Sequence, residues 1–326
     1  MYKVGMKTRI LKYVALTGAL LAACVAARAQ RIEPIPFGDF EQWVVRYIDE
    51  SGVIGGKKRP VYAVAPTDTI RANTPYKNKS ASPWGSSNVM AHVMGIYKTS
   101  NTVFPEKRGE GYCARLDTRL ETCKVLGLVN ITVLASGSLF LGEADEPIKS
   151  ASDPLSKILM GIPFTGHPKA LMLDYKARIS TDDFVTKATG LGSSRQSGRD
   201  EGEFVLYLQH RWEDAKGNVY ARRVGTIKER VSESTDGWVN DHKINIRYGD
   251  ITGQPDYKPY MGLLNGDYQY CCRNSKGKIV PIQEVGWGKP DDEVTHIILM
   301  LSSGSKGAYI GSVGNSLWVD NVRLVY

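Results

Sequence analysis

The feature that most constrains this chain is a two-residue period in its apolar side chains. Leu171, Leu173, Tyr175, Ala177 and Ile179 alternate with Met172, Asp174, Lys176 and Arg178. Successive side chains of a strand point to opposite faces, so this stretch predicts a half-buried strand. Phe204, Leu206, Leu208, His210 and Trp212 alternate with Val205, Tyr207, Gln209 and Arg211. Both of those faces are largely apolar or aromatic, as in a central strand between two layers. Ile244, Ile246 and Tyr248 repeat the period, and the runs 125–134, 295–301 and 317–326 complete the set. Asp214-Ala-Lys-Gly-Asn218 joins two of these patterns as a hairpin turn. The one helix signal is Asp153 as N-cap, Pro154 in the first turn and Gly161 as the stop, two turns at most. Many strands, frequent Gly and Pro and very little helix predict an all-β sandwich. Residues 181–201 and 249–292 read as long loops, which are uncommon unless they bind something or move.

The start of the chain has a different character. Lys7, Arg9 and Lys12 precede an apolar stretch from Tyr13 to Ala27, and Ala27-Arg28-Ala29 is a small-x-small cleavage pattern. This is the layout of an export signal. The run falls short of the roughly 20 residues that a membrane span needs, and no later segment comes closer, so no transmembrane segment is expected. Leu21-Ala-Ala-Cys24 also fits a lipobox, in which Cys24 would be acylated. The apolar run continuing after Cys24 favours cleavage after Ala29. The expected organisation is a signal peptide at 1–29 and one domain at 30–326, located in the periplasm, on the outer-membrane surface or outside the cell.

Losing the leader removes five of the eight excess positive charges. What remains carries no clustered basic face, and a nucleic-acid partner is not expected. Cys113, Cys123, Cys271 and Cys272 stay behind. Export leads to an oxidising compartment, so pairing is open to them, with three connectivities and no choice among them from the sequence. Cys271-Cys272 lacks the spacing of a zinc site.

Several ordered motifs resemble the PCMD family (putative carbohydrate metabolism domain). They are Pro83-Trp-Gly-Ser-Ser-Asn88, Gly137-Ser-Leu-Phe-Leu-Gly142, and Gly161-Ile-Pro-Phe-Thr-Gly-His-Pro168 followed by Leu171-x-Leu-x-Tyr-Lys176. The fourth runs from Ser302-Ser-Gly304 through Gly311 and Gly314 to Trp318-Val-Asp-Asn321. The resemblance extends from about Phe37 to Tyr326. His167 stands where the family more often has arginine. The resemblance implies a β-jelly-roll akin to carbohydrate-binding modules, in exported proteins of glycan-using Gram-negative gut bacteria. It supplies no established catalytic residues.

Sugar binding needs flat aromatic faces and planar polar groups. Trp287, between Gly286 and Gly288, and Trp84, in Pro-Trp-Gly, have small neighbours that would leave their rings accessible. Tyr260 and Tyr270 crowd the same long segment as Trp287, together with Tyr257 and Tyr268. Trp84, Trp287, Tyr260 and Tyr270 are therefore the candidate carbohydrate-binding residues, while Trp43, Trp212 and Trp318 read as packing residues. Asp39 and Glu41 open the domain and Asp320 closes it. Where first and last strands meet, such carboxylates suit a structural calcium; no other cofactor is expected. No Gly-x-Ser-x-Gly, His-Glu-x-x-His or P-loop is present. His210 falls on an apolar strand face, and Asp174 and Glu203 read as solvated sheet positions. These features favour a non-catalytic glycan-binding or accessory protein. A glycan-active hydrolase or lyase and an adhesin-like envelope subunit are the alternatives.

Overall fold

The computed structural model describes residues 30–326 except 126–128, 150–154, 191 and 267–268. The leader and Cys24 lie outside the described residues. The protein is all-β, with 55% strand and 3% helix. Among the described residues, no helix is long and apolar enough to cross a membrane.

The period-two segments at 171–179, 204–212, 295–301 and 317–326 form the strands they predict. Ala170–Arg178 pairs with Val239–Asn245 on one side and with Ser316–Val325 on the other. Gly111–Asp117 and Val103–Arg108 extend this into a six-stranded sheet, and Ile32–Pro34 adds to the far end of Ser316–Val325. Its inner face presents Leu171, Leu173, Ala177, Leu317, Val319 and Leu116. They meet Phe204, Leu206, Leu208, Ile227 and Leu299 of a ten-stranded sheet. This interface is the main core.

The ten-stranded sheet is apolar on both faces because its pairing path closes. Ser138–Ala144 bonds to His296–Ser302 through its first half and to Ile158–Met160 through its second. Cys271–Arg273, Ile279–Trp287, Val219–Val231 and Gly202–Glu213 complete the ring of seven strands. Phe140, Met160, Val205, Tyr207, Ile282 and Ile298 fill its inside as a second core. The apolar character of both faces of 204–212 thus reflects two cores, one on each side.

Local chemistry accounts for the glycine-rich motif at 302–316. Asp200, 1% exposed, accepts hydrogen bonds from the backbone N–H of Ser305 (2.8 Å) and Ser312 (3.1 Å). A Cβ on Gly304 would sit 2.4 Å from Ser136 Oγ, and one on Gly311 would sit 2.8 Å from an Asp200 oxygen. The motif is glycine-rich because the loop is drawn down onto one buried carboxylate.

Three segments depart from expectation. Within the proposed helix, Leu155–Lys157 is a single 3₁₀ turn and Ile158–Met160 is a strand. Its Ile-Leu-Met run closes the second core, and that tertiary gain overrides the capping signal. The first long loop is mostly a hairpin, Phe184–Gly190 with Ser193–Ser197. The second contains the strands Cys271–Arg273 and Ile279–Trp287. Cys113 and Cys123 remain thiols.

Candidate functional site

A cleft of about 560 Å³ opens where the hairpin of Gly202–Glu213 and Val219–Val231 reaches its tip. Its position follows from strand lengths. The neighbour strand His296–Ser302 begins opposite Gln209, so residues 210–213 have no strand partner on that side. Past Leu208, the even-numbered side chains also run beyond the main core. Trp212 is 39% exposed there, its ring 5.8 Å from that of Tyr220 and within 24° of parallel. The hairpin tip is cross-bonded. Asp214 accepts from the N–H of Lys216 and Asn218, and Asn274 Nδ2 donates to Gly217 O.

The floor is built on Arg211, which is buried. Its Nε donates to Gln209 Oε1 (2.7 Å), and both terminal nitrogens donate to Met160 O (3.3 Å). Gly161 permits this approach. It has φ +91°, and a Cβ there would lie 2.4 Å from Arg211 Nη2. The Gly161-Ile-Pro motif is thus a wall cut away for a buried guanidinium. Burial pushes the Arg211 pKa down to about 10, and Gln209 relays the group to Glu284 (2.6 Å).

Charged groups at the rim are oriented by the protein. Glu213 accepts from Ser275 N–H (2.8 Å) and Oγ (2.7 Å), which holds its carboxyl below the usual range. Arg273 donates to Glu143 (3.2 Å) and Asp145 (3.0 Å). His296, beside the floor, is pushed down to about 4 by burial and then by the Arg211 charge. Its ring is neutral at pH 7 in the folded state, whereas in the unfolded chain it protonates near 6.5. As pH falls from 6.5 to 4, the unfolded state gains a proton that the folded state refuses, so stability is lost across that window. The expected loss is about 3 kcal/mol. Urea unfolding at pH 7 and pH 4 should show it, and His296→Gln should remove that part of the pH dependence. Equal pH slopes in the two proteins would contradict this.

The residues expected to bind sugar lie elsewhere. Trp84 is 3% exposed in the main core, its Nε1 donating to Pro36 O (2.9 Å) and its ring edge-on to Phe40. Its small neighbour Gly85 is explained by Phe140, whose ring would be 2.6 Å from a Cβ there, and not by access to solvent. Trp287 ends a strand and is half-buried, with the Arg223 guanidinium 5.4 Å from its ring. Tyr270 packs against the second core and Tyr260 lies under Arg230. Of the four, only Tyr270 packs on the second core, and none lines the cleft.

Of the carboxylates named for calcium, two have protein partners. Asp320 is 5% exposed and takes Arg108 (2.6 Å), whereas Glu41 accepts from Tyr112 N–H and Asp39 is exposed. Among the described residues, no three His, Cys, Asp or Glu side chains gather as a metal site. Asp174 and Glu203 are buried rather than solvated. His210 is more than a third exposed and lies against Glu293. Trp43 packs in the core as expected, while Trp212 does not. Trp318 is half-buried on the outer face of the six-stranded sheet, under Lys176.

A family model described as "putative carbohydrate metabolism domain" matches residues 50–258. No curated protein matches the chain. Among solved structures, a putative glycoside hydrolase from Bacteroides thetaiotaomicron is 20% identical, with 86% of this chain and 70% of that one covered and a TM-score of 0.48. A second putative glycoside hydrolase, from Bacteroides vulgatus, is 13% identical, with 90% and 94% covered and a TM-score of 0.40. A carbohydrate-binding module specific for non-crystalline cellulose is 12% identical, with 77% and 92% covered and a TM-score of 0.26. At these scores the likeness assigns no activity.

Proposed function

This chain belongs to the PCMD family, the putative carbohydrate metabolism domain, and on that premise we propose that it is an exported, non-catalytic glycan-binding protein that holds its ligand in the cleft at Trp212. In this reading residues 30–326 are one jelly-roll-type domain, and the leader at 1–29 carries it out of the cytoplasm. The observation that carries the proposal is an exposed indole at the wall of a cleft whose polar groups are already fixed. Trp212 offers its ring to the C–H face of a pyranose. Glu213, Glu143 and Arg273 are oriented by protein partners and can bond hydroxyls without reordering.

A binding role fits the cleft better than hydrolysis does. Glycoside cleavage needs one carboxylic acid that keeps its proton near neutral pH. Glu213 is pulled the other way by Ser275, and Glu143 is tied to Arg273. Glu203, whose pKa is raised by burial, does not line the cleft.

A glycan array probed with the mature protein tests the reading, and silence across plant, host and microbial glycans would sink it. Trp212→Ala is expected to weaken binding to any positive glycan by about 1 kcal/mol or more, the scale of a lost aromatic anchor. Unchanged affinity by calorimetry would remove the site assignment. Release of reducing ends from a bound polysaccharide would overturn the non-catalytic reading.

A further inference from the structure

The cleft is the mouth of the seven-stranded ring. Gly142, Met160, Arg211, Val219 and Cys272 line it from different strands of that ring, and the open end of a barrel is a common place for a ligand. The odd-numbered side chains of Gly202–Glu213 run from Val205 and Tyr207 in the second core to Gln209 and then to Arg211 at the mouth. Hydrogen bonds join Arg223, Glu284, Gln209 and Arg211 into one buried column.

That column holds two guanidinium groups and one carboxylate. Both oxygens of Glu284 are committed. Its Oε1 accepts from Arg223 Nε and Gln209 Nε2, and its Oε2 accepts from Arg223 Nη2 and Leu264 N–H. The charge of Arg223 is therefore balanced, and that of Arg211 is not. Arg211 is 8% exposed and meets only neutral acceptors, Gln209 Oε1 and Met160 O. Among the described residues, no carboxylate comes within ion-pair reach of it. A guanidinium has five N–H groups. One serves Gln209, and one from each terminal nitrogen serves the same Met160 carbonyl, so two are left unspent at the floor.

A buried cation without an anion beside it is costly, and a ligand anion would supply what the protein omits. The carboxylates of the cleft do not supply it. Glu143 is tied to Arg273, and Glu213 is held at the rim by Ser275. Those rim groups serve neutral hydroxyls, but only an anionic group answers the charge at the floor. Trp212 lines the same cleft. We propose, resting on the reading of this cleft as a glycan site, that it selects acidic sugars, a unit whose carboxylate or sulfate ester sits on Arg211 while its ring lies on Trp212.

The test measures the full-length protein by calorimetry with matched pairs, glucose and glucuronate, galactose and galacturonate, mannose and mannuronate, and with galactose 6-sulfate. At least one acidic sugar should bind about tenfold more tightly than its neutral partner, the value of a charge-assisted hydrogen bond. The uronate and sulfate arms show which anion the floor takes. Arg211→Met should erase the preference, and Arg211→Lys, which keeps the charge, should retain part of it. A readout in the parent protein does not depend on those variants folding. An anion on Arg211 offsets the charge that acts on His296. By NMR, His296 should therefore titrate higher with the preferred acidic sugar than with its neutral partner. Equal binding within every pair, a preference that survives Arg211→Met, or a His296 titration that does not rise would each overturn the inference. So would the failure of every acidic sugar to bind. If a neutral glycan is still positive on the array in that case, the proposed function stands and only the acidic selectivity is removed, whereas silence from the array as well takes both.

Discussion

Replacing Glu284 with glutamine should remove about 3–5 kcal/mol of stability, the usual consequence of breaking a buried ion pair from one side. Arg223 and Glu284 have side chains 0% and 1% exposed. The guanidinium lies 3.7 Å from the centre of the Tyr207 ring and donates through Nε to Glu284 Oε1 (2.9 Å), with a second, shorter bond from Nη2 to Oε2. Glutamine has the same shape but no charge. It would leave Arg223 buried with only carbonyl partners, and Leu264 N–H would lose its charged acceptor. The same change replaces the charged acceptor of Gln209 Nε2 with a neutral amide oxygen. A urea midpoint shifted by the stated amount at unchanged m-value is the expected reading. Replacing both partners together, Arg223→Met with Glu284→Leu, should recover most of the loss, because the desolvation penalty disappears with the charges. A single-variant loss under about 1 kcal/mol would mean that water reaches the pair.

Trp84→Ala should destabilise by a comparable amount, about 3–5 kcal/mol, by opening a cavity where a buried indole stood. The ring touches Phe40 edge-on at 5.3 Å between centroids, and its N–H satisfies Pro36 O. Both losses act on the folded core and neither acts on the cleft. Glycan affinity of the fraction that remains folded should therefore be unchanged, whereas Trp212→Ala should behave in the opposite way, weakening binding with little effect on the unfolding midpoint. Equal affinity losses in the two variants would place Trp84 back among the binding residues.

The contrast between these two tryptophans shows what was legible in the chain. Strand periodicity located Ala170–Arg178, Gly202–Glu213, His296–Ser302 and Ser316–Val325, because alternation is a local consequence of the pleat. It could not show how far each strand runs beyond its neighbours. Trp212 shares the alternation of Phe204 and Leu208, yet it is exposed because the adjacent strand begins only at His296. The one local hint was the Asp214 turn two residues later, which marks a hairpin tip. Trp84 misled in the reverse sense, since its small neighbour signalled close packing against Phe140 rather than openness. Arg211 gave no sequence sign of its role, because its partner is a backbone carbonyl brought near by the departure of Gly161 into the left-handed region. Among the calcium candidates, the ion pair of Asp320 was not legible. Asp320 meets Arg108, and nothing in the spacing of either residue reveals the other.

The six-stranded sheet has its own bearing on how the molecule is made. Its central strand, Ser316–Val325, is flanked by Ala170–Arg178 and Gly111–Asp117 and also receives Ile32–Pro34. Every one of these contacts joins residues far apart along the chain. Loop closure must precede such pairings, and folds dominated by them assemble slowly. Until 316–325 arrives, the apolar side chains of Leu171, Leu173 and Leu116 have no seam to close against. If the chain is exported, as we propose, that delay is an advantage. The sheet stays open for as long as its keystone is missing.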